Sequence, residues 1–133
     1  MRDIVLLLVR LVMSYGFISP SLMKFNDFSS NAEWFKSIGI PFPMLSTALS
    51  GTVELMGVFL LGLGLFTRYI SYPLIITMLV AIFSVHLSSG FSAMNGGFEI
   101  NLYYIVMLLT LIAYGPGKYS LDYVRSDVKL WKV

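Results

Sequence analysis

The sequence predicts an all-α integral membrane protein: an antiparallel four-helix transmembrane bundle with a short outer interfacial helix and an amphipathic cytoplasmic tail. Three observations carry this expectation. The 133 residues are 57% hydrophobic and 12% charged, with a mean hydropathy of +0.82, whereas a soluble domain carries ~25% charged residues. Apolar runs at about 4–23, 44–66, 70–89 and 98–114 approach the ~20 residues that cross a ~30 Å hydrocarbon core as a helix. Short polar or Gly/Pro segments separate the runs, leaving residues 1–133 as one membrane domain with no room for a separate soluble catalytic domain.

The first run, Ile4 to Met23, follows Arg2 as a signal peptide would. It contains Arg10 and Pro20 and has no small-x-small cleavage site, so it reads as an uncleaved helix. Arg10, Ser14, Phe17, Ser21 and Lys24 recur at steps of four and three and draw a polar seam along it. From Lys24 to Pro43 the chain is mixed and aromatic. Ser30 and Glu33 have capping-box spacing, Gly39 is a helix stop, and Trp34, Phe35 and Phe42 suit a headgroup boundary, so a short outer surface helix is expected. Pro41 and Pro43 lead into the second span, Met44 to Phe66, where Thr47, Ser50, Gly51, Glu54, Gly57 and Gly64 share a face that should meet other helices.

Thr67-Arg68-Tyr69 is read as the tight turn of a hairpin between spans two and three, with Pro73 in the first turn of the third span. After the loop SSGFSAMNGGF, Glu99 opens the fourth span, which Gly115-Pro116-Gly117 ends. Leu121, Val124, Val128 and Trp131 then repeat at helical steps among Lys118, Arg125, Lys129 and Lys132, the pattern of a basic tail on an anionic membrane face. With the N-terminus inside, the inner side carries Arg2, Arg68, Lys118, Arg125, Lys129 and Lys132 against Lys24 and Lys36 outside. Both termini are therefore expected to be cytoplasmic, at the inner membrane.

The absence of cysteine excludes thiolate chemistry and cysteine-ligated clusters, and a single histidine cannot build a bis-histidine haem or a His-rich metal site within one chain. No metal is expected, and a net charge of +2 gives no reason to expect nucleic acid. Glu54 is the residue that requires explanation, because an acid near mid-depth of a span costs several kcal/mol unless it has a partner. Helix counting sets Arg10 about 9 Å from it in depth, which predicts that Arg10 and Glu54 pair, directly or through water, as a buried polar core. Lys24, His86, Glu99 and Tyr103, with Asn101 nearby, are expected to line a polar entrance on the outer side. Each has a plainer reading: Arg10 and Glu54 as helix glue, His86 as an interfacial histidine, Glu99 as a complement to a helix N-terminus and Lys24 as a boundary anchor.

Four stretches together resemble the DoxX family of small four-helix bacterial membrane proteins: the Ser21-Leu-Met-Lys24 end of span one, the I-P-F-P entry, the Glu54-x-x-Gly57 span closing in Gly64-Leu-Phe-Thr-Arg68, and the terminal G-P-G-K-Y-S-L-D. Pro20-Ser21 stands where family members more often have glycine. The resemblance implies a membrane domain related to a subunit of a thiosulfate:quinone oxidoreductase and associated with membrane redox complexes. The leading expectation is an accessory or quinone-interacting subunit, with quinone as the candidate ligand, a membrane or soluble redox partner, and homo-oligomers allowed. The alternatives are a small proton-coupled permease and a structural or assembly module without catalysis.

Overall fold

The computed structural model describes residues 1–124, and the regular elements among those residues are all helical, without strands. Its principal helices are α1 (Arg2–Asn26), α2 (Phe28–Ser37), α3 (Pro43–Leu63), α4 (Thr67–Ala81), α5 (Glu99–Tyr114) and the one-turn α6 (Leu121–Val124). A π turn, Ile82–His86, and a 3₁₀ turn, Leu87–Ser89, prolong α4. Three helical stretches, Arg2–Asn26, Pro43–Leu63 and Thr67–Ser89, are long and apolar enough to cross a membrane. The 16 residues of α5 are apolar but shorter.

The helices assemble through small residues and a layer of large apolar ones. α1 lies along α3, α3 along α4, α4 along α5, and α2 folds back over α3. A Cβ on Gly51 would stand 3.3 Å from the Lys24 Cβ, and one on Gly64 would stand 2.6 Å from Arg10 Nη1, so α1 and α3 run in opposite directions at close approach. Gly57 meets Leu74 of α4, and Gly16 admits the Tyr104 ring, which stands edge-on to Phe17 at 5.3 Å. Met13, Phe17, Leu61, Leu74, Leu108 and Leu111 fill the centre with essentially no exposure. Leu8, Val12, Phe59, Ile76, Phe83 and Val106 lie exposed on the outside, the arrangement expected where lipid rather than water is the solvent.

Several local expectations are corrected. The turn between the second and third spans falls at residues 64–66, and Thr67 already opens α4. Gly64 at φ +70 ends α3, with the Leu65 N–H reaching the Leu60 carbonyl, and Phe66 follows in the left-handed region at φ 50. Starting α4 three residues earlier moves Pro73 out of the first turn into the helix interior. The Ser30/Glu33 capping box is not used. α2 begins at Phe28, where the Asp27 carbonyl accepts the Asn31 N–H and no side chain caps the end. Of the expected basic tail, Arg125, Val128, Lys129, Trp131 and Lys132 lie outside the described residues.

Candidate functional site

Two buried polar centres stand at different heights of the bundle, separated by the apolar layer. The first joins α1 to α3. Thr47, Gly51, Glu54, Gly57 and Leu61 are the buried residues of α3, the inward face expected from its small residues. Glu54 is 4% exposed, and both its oxygens accept from Lys24 Nζ, at 2.8 Å to Oε1 and 3.0 Å to Oε2. Gly51 lets the α1 backbone come in beside α3, so Lys24 starts about one turn beyond Glu54 and extends back along the interface. Its side chain remains 14% exposed. Ser21 and Thr47, both fully buried near the pair, donate to their own helices, at the Ile18 and Pro43 carbonyls.

The second centre is Arg10, which has no exposed surface. Its guanidinium ends on main-chain oxygens: Nε donates to Pro116 at 3.1 Å, Nη1 to Leu61 at 3.0 Å and to Gly62 at 3.4 Å, and Nη2 to Tyr119. One side chain thus ties α1 to the end of α3 and to the segment after α5. Asp122, also fully buried, interacts electrostatically with Arg10. Its carboxylate accepts the N–H groups of Phe66, at 2.9 Å, and Thr67, at 3.2 Å, and so caps α4 from more than fifty residues away. The Asp122 N–H returns a bond to the Gly64 carbonyl. Gly64 is required here, since a Cβ would stand 2.4 Å from the Ser120 Cβ.

The expected Arg10–Glu54 pair therefore does not form. Across the antiparallel α1–α3 contact Arg10 faces Gly64, ten residues beyond Glu54, which at 1.5 Å per residue is about 15 Å and beyond the combined reach of the two side chains. Met13, Phe17 and Leu61 fill the interval. The expected entrance also divides. Lys24 belongs to Glu54, while His86, Glu99 and Tyr103 brace the loop between α4 and α5. His86 Nδ1 bonds the Gly96 carbonyl at 2.7 Å; Glu99 accepts the Ala93 N–H at 3.0 Å and the Tyr103 hydroxyl at 2.7 Å. Asn101 Nδ2 contacts Met78 Sδ at 3.6 Å.

Asp122 was missed because it follows a helix stop in a stretch whose charge pattern otherwise reads as a basic tail; its signal was the closing motif G-P-G-K-Y-S-L-D, which ends on it. Among the described residues no group of three or more His, Cys, Asp or Glu is placed to hold a metal. The Lys24 ammonium is the partly exposed donor of the Lys24–Glu54 centre. Two surface hollows, one at the α1–α2 elbow and one between α2 and the start of α3, are not lined by Lys24 or Glu54, so neither supplies that donor with an apolar slot.

The family model described as DoxX matches residues 5–87. An uncharacterized protein of Haemophilus influenzae is 34% identical over 127 residues, 92% of this chain and 84% of its own. Uncharacterized membrane protein Rv3486 of Mycobacterium tuberculosis is 32% identical over 125 residues, 86% of this chain and 77% of its own. Inner membrane protein YphA of Escherichia coli is 29% identical over 126 residues, 91% of this chain and 90% of its own. No solved structure gives a significant match.

Proposed function

The chain belongs to the DoxX family, and we propose that it is a non-catalytic accessory subunit of an inner-membrane redox complex. It is an antiparallel four-helix bundle with both termini cytoplasmic and α2 lying on the outer surface. The observation that carries the non-catalytic reading is that Arg10, Glu54 and Asp122, the buried charged residues among those described, all spend their hydrogen bonds on this chain. In this reading Lys24–Glu54 locks α1 to α3, and Arg10 with Asp122 locks the opposite end. A large, rigid apolar exterior is left to meet lipid and a partner subunit. The apolar layer of Met13, Phe17 and Leu61 between the centres argues against a proton-coupled permease, which needs a continuous polar path. The redox assignment rests on the family resemblance, and the similarity to YphA supports the inner membrane.

A second reading, a quinone-contacting subunit, has one observation in its favour. Lys24 keeps 14% exposure and directs two bonds to a single carboxylate, so its third hydrogen is available to a carbonyl approaching from the lipid side. One experiment separates the two. The Lys24→Met/Glu54→Leu double variant removes both charges and keeps an apolar seam. Expressed in cells lacking the wild-type chain, it should still co-purify with a membrane oxidoreductase and sustain that enzyme's quinone turnover. A folded double variant that co-purifies without supporting turnover, together with quinone retained by wild type alone, would replace the accessory reading with the quinone one. Failure of the wild type itself to co-purify with any oxidoreductase would remove the redox assignment.

A further inference from the structure

We propose that the elbow between α1 and α2 is a binding site for a phospholipid with a primary-amine headgroup, of the phosphatidylethanolamine type. The elbow carries an amphipathic groove. Ile18, Leu22 and Met23, with the small Ser19 beside them, form its mainly apolar part along α1, and Asn26, Asp27 and Asn31 form its polar end. The apolar part lies on the side of α1 away from Phe17 and Ser21, the residues buried against the bundle. From residue 18 to residue 26 the groove follows α1 for about 12 Å, from the interior of a span to its end. A phospholipid has the same order of parts over that distance: acyl chain, glycerol, headgroup.

The polar end is fixed in place and left open by the described residues. Asn31 Nδ2 donates to the Met23 carbonyl at 3.1 Å and to the Asp27 carbonyl at 2.9 Å, bolting the first turn of α2 to the end of α1. The Asn31 side-chain oxygen remains an acceptor. Among the described residues the Asp27 carboxylate receives no hydrogen bond and is the one charged group lining the groove. Lys24, three residues earlier, is turned to the other side and held by Glu54.

Charge decides the headgroup. An ammonium with three N–H donors forms charge-assisted hydrogen bonds with Asp27 and Asn31, while a headgroup of net negative charge has no ammonium to offer Asp27 and meets no cation among the described lining residues. A quaternary choline headgroup has the charge but no N–H to donate. The inference needs the membrane reading alone and does not depend on the accessory role.

The test is native mass spectrometry of the full chain, released from mild detergent after equilibration with equimolar phosphatidylethanolamine, phosphatidylcholine and phosphatidylglycerol. Wild type is expected to retain phosphatidylethanolamine about tenfold over the other two. Asp27→Asn should reduce that preference to within about twofold, as the loss of one charge-assisted contact requires. Glu33→Gln, which removes an exposed acid of α2 outside the groove, should keep it. Leu22→Trp fills the apolar part and should lower retention of all three lipids. Equal retention by wild type, a preference that survives Asp27→Asn, equal loss in Glu33→Gln, or unchanged retention in Leu22→Trp would each overturn the site.

Discussion

Replacing Lys24 and Glu54 singly and together tests whether the pair locks α1 to α3. At the 2.8 Å separation and an effective dielectric of about 20, the two charges attract by about 6 kcal/mol. Withdrawing them from water costs several kcal/mol each, so the intact pair contributes little net stability while a half-pair is costly. The two halves are not equivalent. Glu54 is 4% exposed and has nowhere to turn, so Lys24→Met strands its carboxylate and should cost about 3–5 kcal/mol. Lys24 is 14% exposed near the end of α1, so in Glu54→Leu its flexible stem can carry the ammonium outward, holding the loss to about 2 kcal/mol. Lys24→Met/Glu54→Leu should restore stability to within about 1 kcal/mol of wild type, a coupling of at least about 4 kcal/mol. Reversible unfolding in mixed micelles, followed by helical circular dichroism, reads all four proteins. Additive losses, with the double variant the least stable, would refute the reasoning. So would a Glu54→Leu loss larger than that of Lys24→Met.

Four further variants test the Arg10 centre. Arg10→Ala removes donors from carbonyls on two segments, the end of α3 and the stretch after α5, and should cost about 3–5 kcal/mol in the same titration. Arg10→Lys should recover less than half of that, because an ammonium lacks the planar fork that reaches Leu61, Pro116 and Tyr119 together. Asp122→Ala removes the cap on α4 and should cost about 1–2 kcal/mol, with hydrogen exchange accelerated at the Phe66 and Thr67 amides and unchanged in the middle of α3. Gly64→Ala forces a Cβ against Ser120 and Arg10 in a left-handed conformation. It should cost about 2–4 kcal/mol and raise protease cleavage between residues 115 and 124.

What could be read from residue order was whatever repeats along a helix. The inward face of α3 was legible because small residues at steps of three and four admit neighbouring backbones, and the burial of Thr47, Gly51, Glu54 and Gly57 follows that pattern. The partners of the charges were not legible. Arg10 bonds backbone oxygens, which every residue possesses, so no residue type signals the acceptor. Lys24 and Glu54 pair because of the offset between α1 and α3, and counting each span from an assumed membrane boundary placed Arg10 within about 9 Å of Glu54 in depth instead. The turn at Gly64 was displaced for a related reason: Asp122, remote in sequence, caps α4 and starts the helix at Thr67.

The DoxX match ends at residue 87, yet the centre built on Arg10 depends on residues beyond it. Pro116 and Tyr119 supply carbonyls, and Asp122 supplies both the cap of α4 and a charge opposite to that of Arg10. Without this segment a fully buried guanidinium would keep only the Leu61 and Gly62 carbonyls, and α4 would begin with unsatisfied N–H groups. The Lys118 N–H also reaches the Asp3 carboxylate, and Gly117 packs on Leu6, so the segment closes against the start of α1 as well as the turn after α3. Residues 115–122 are therefore part of the folded membrane unit. Gly115-Pro116-Gly117 serves less as a stop after the last helix than as the bend that returns the chain to Arg10.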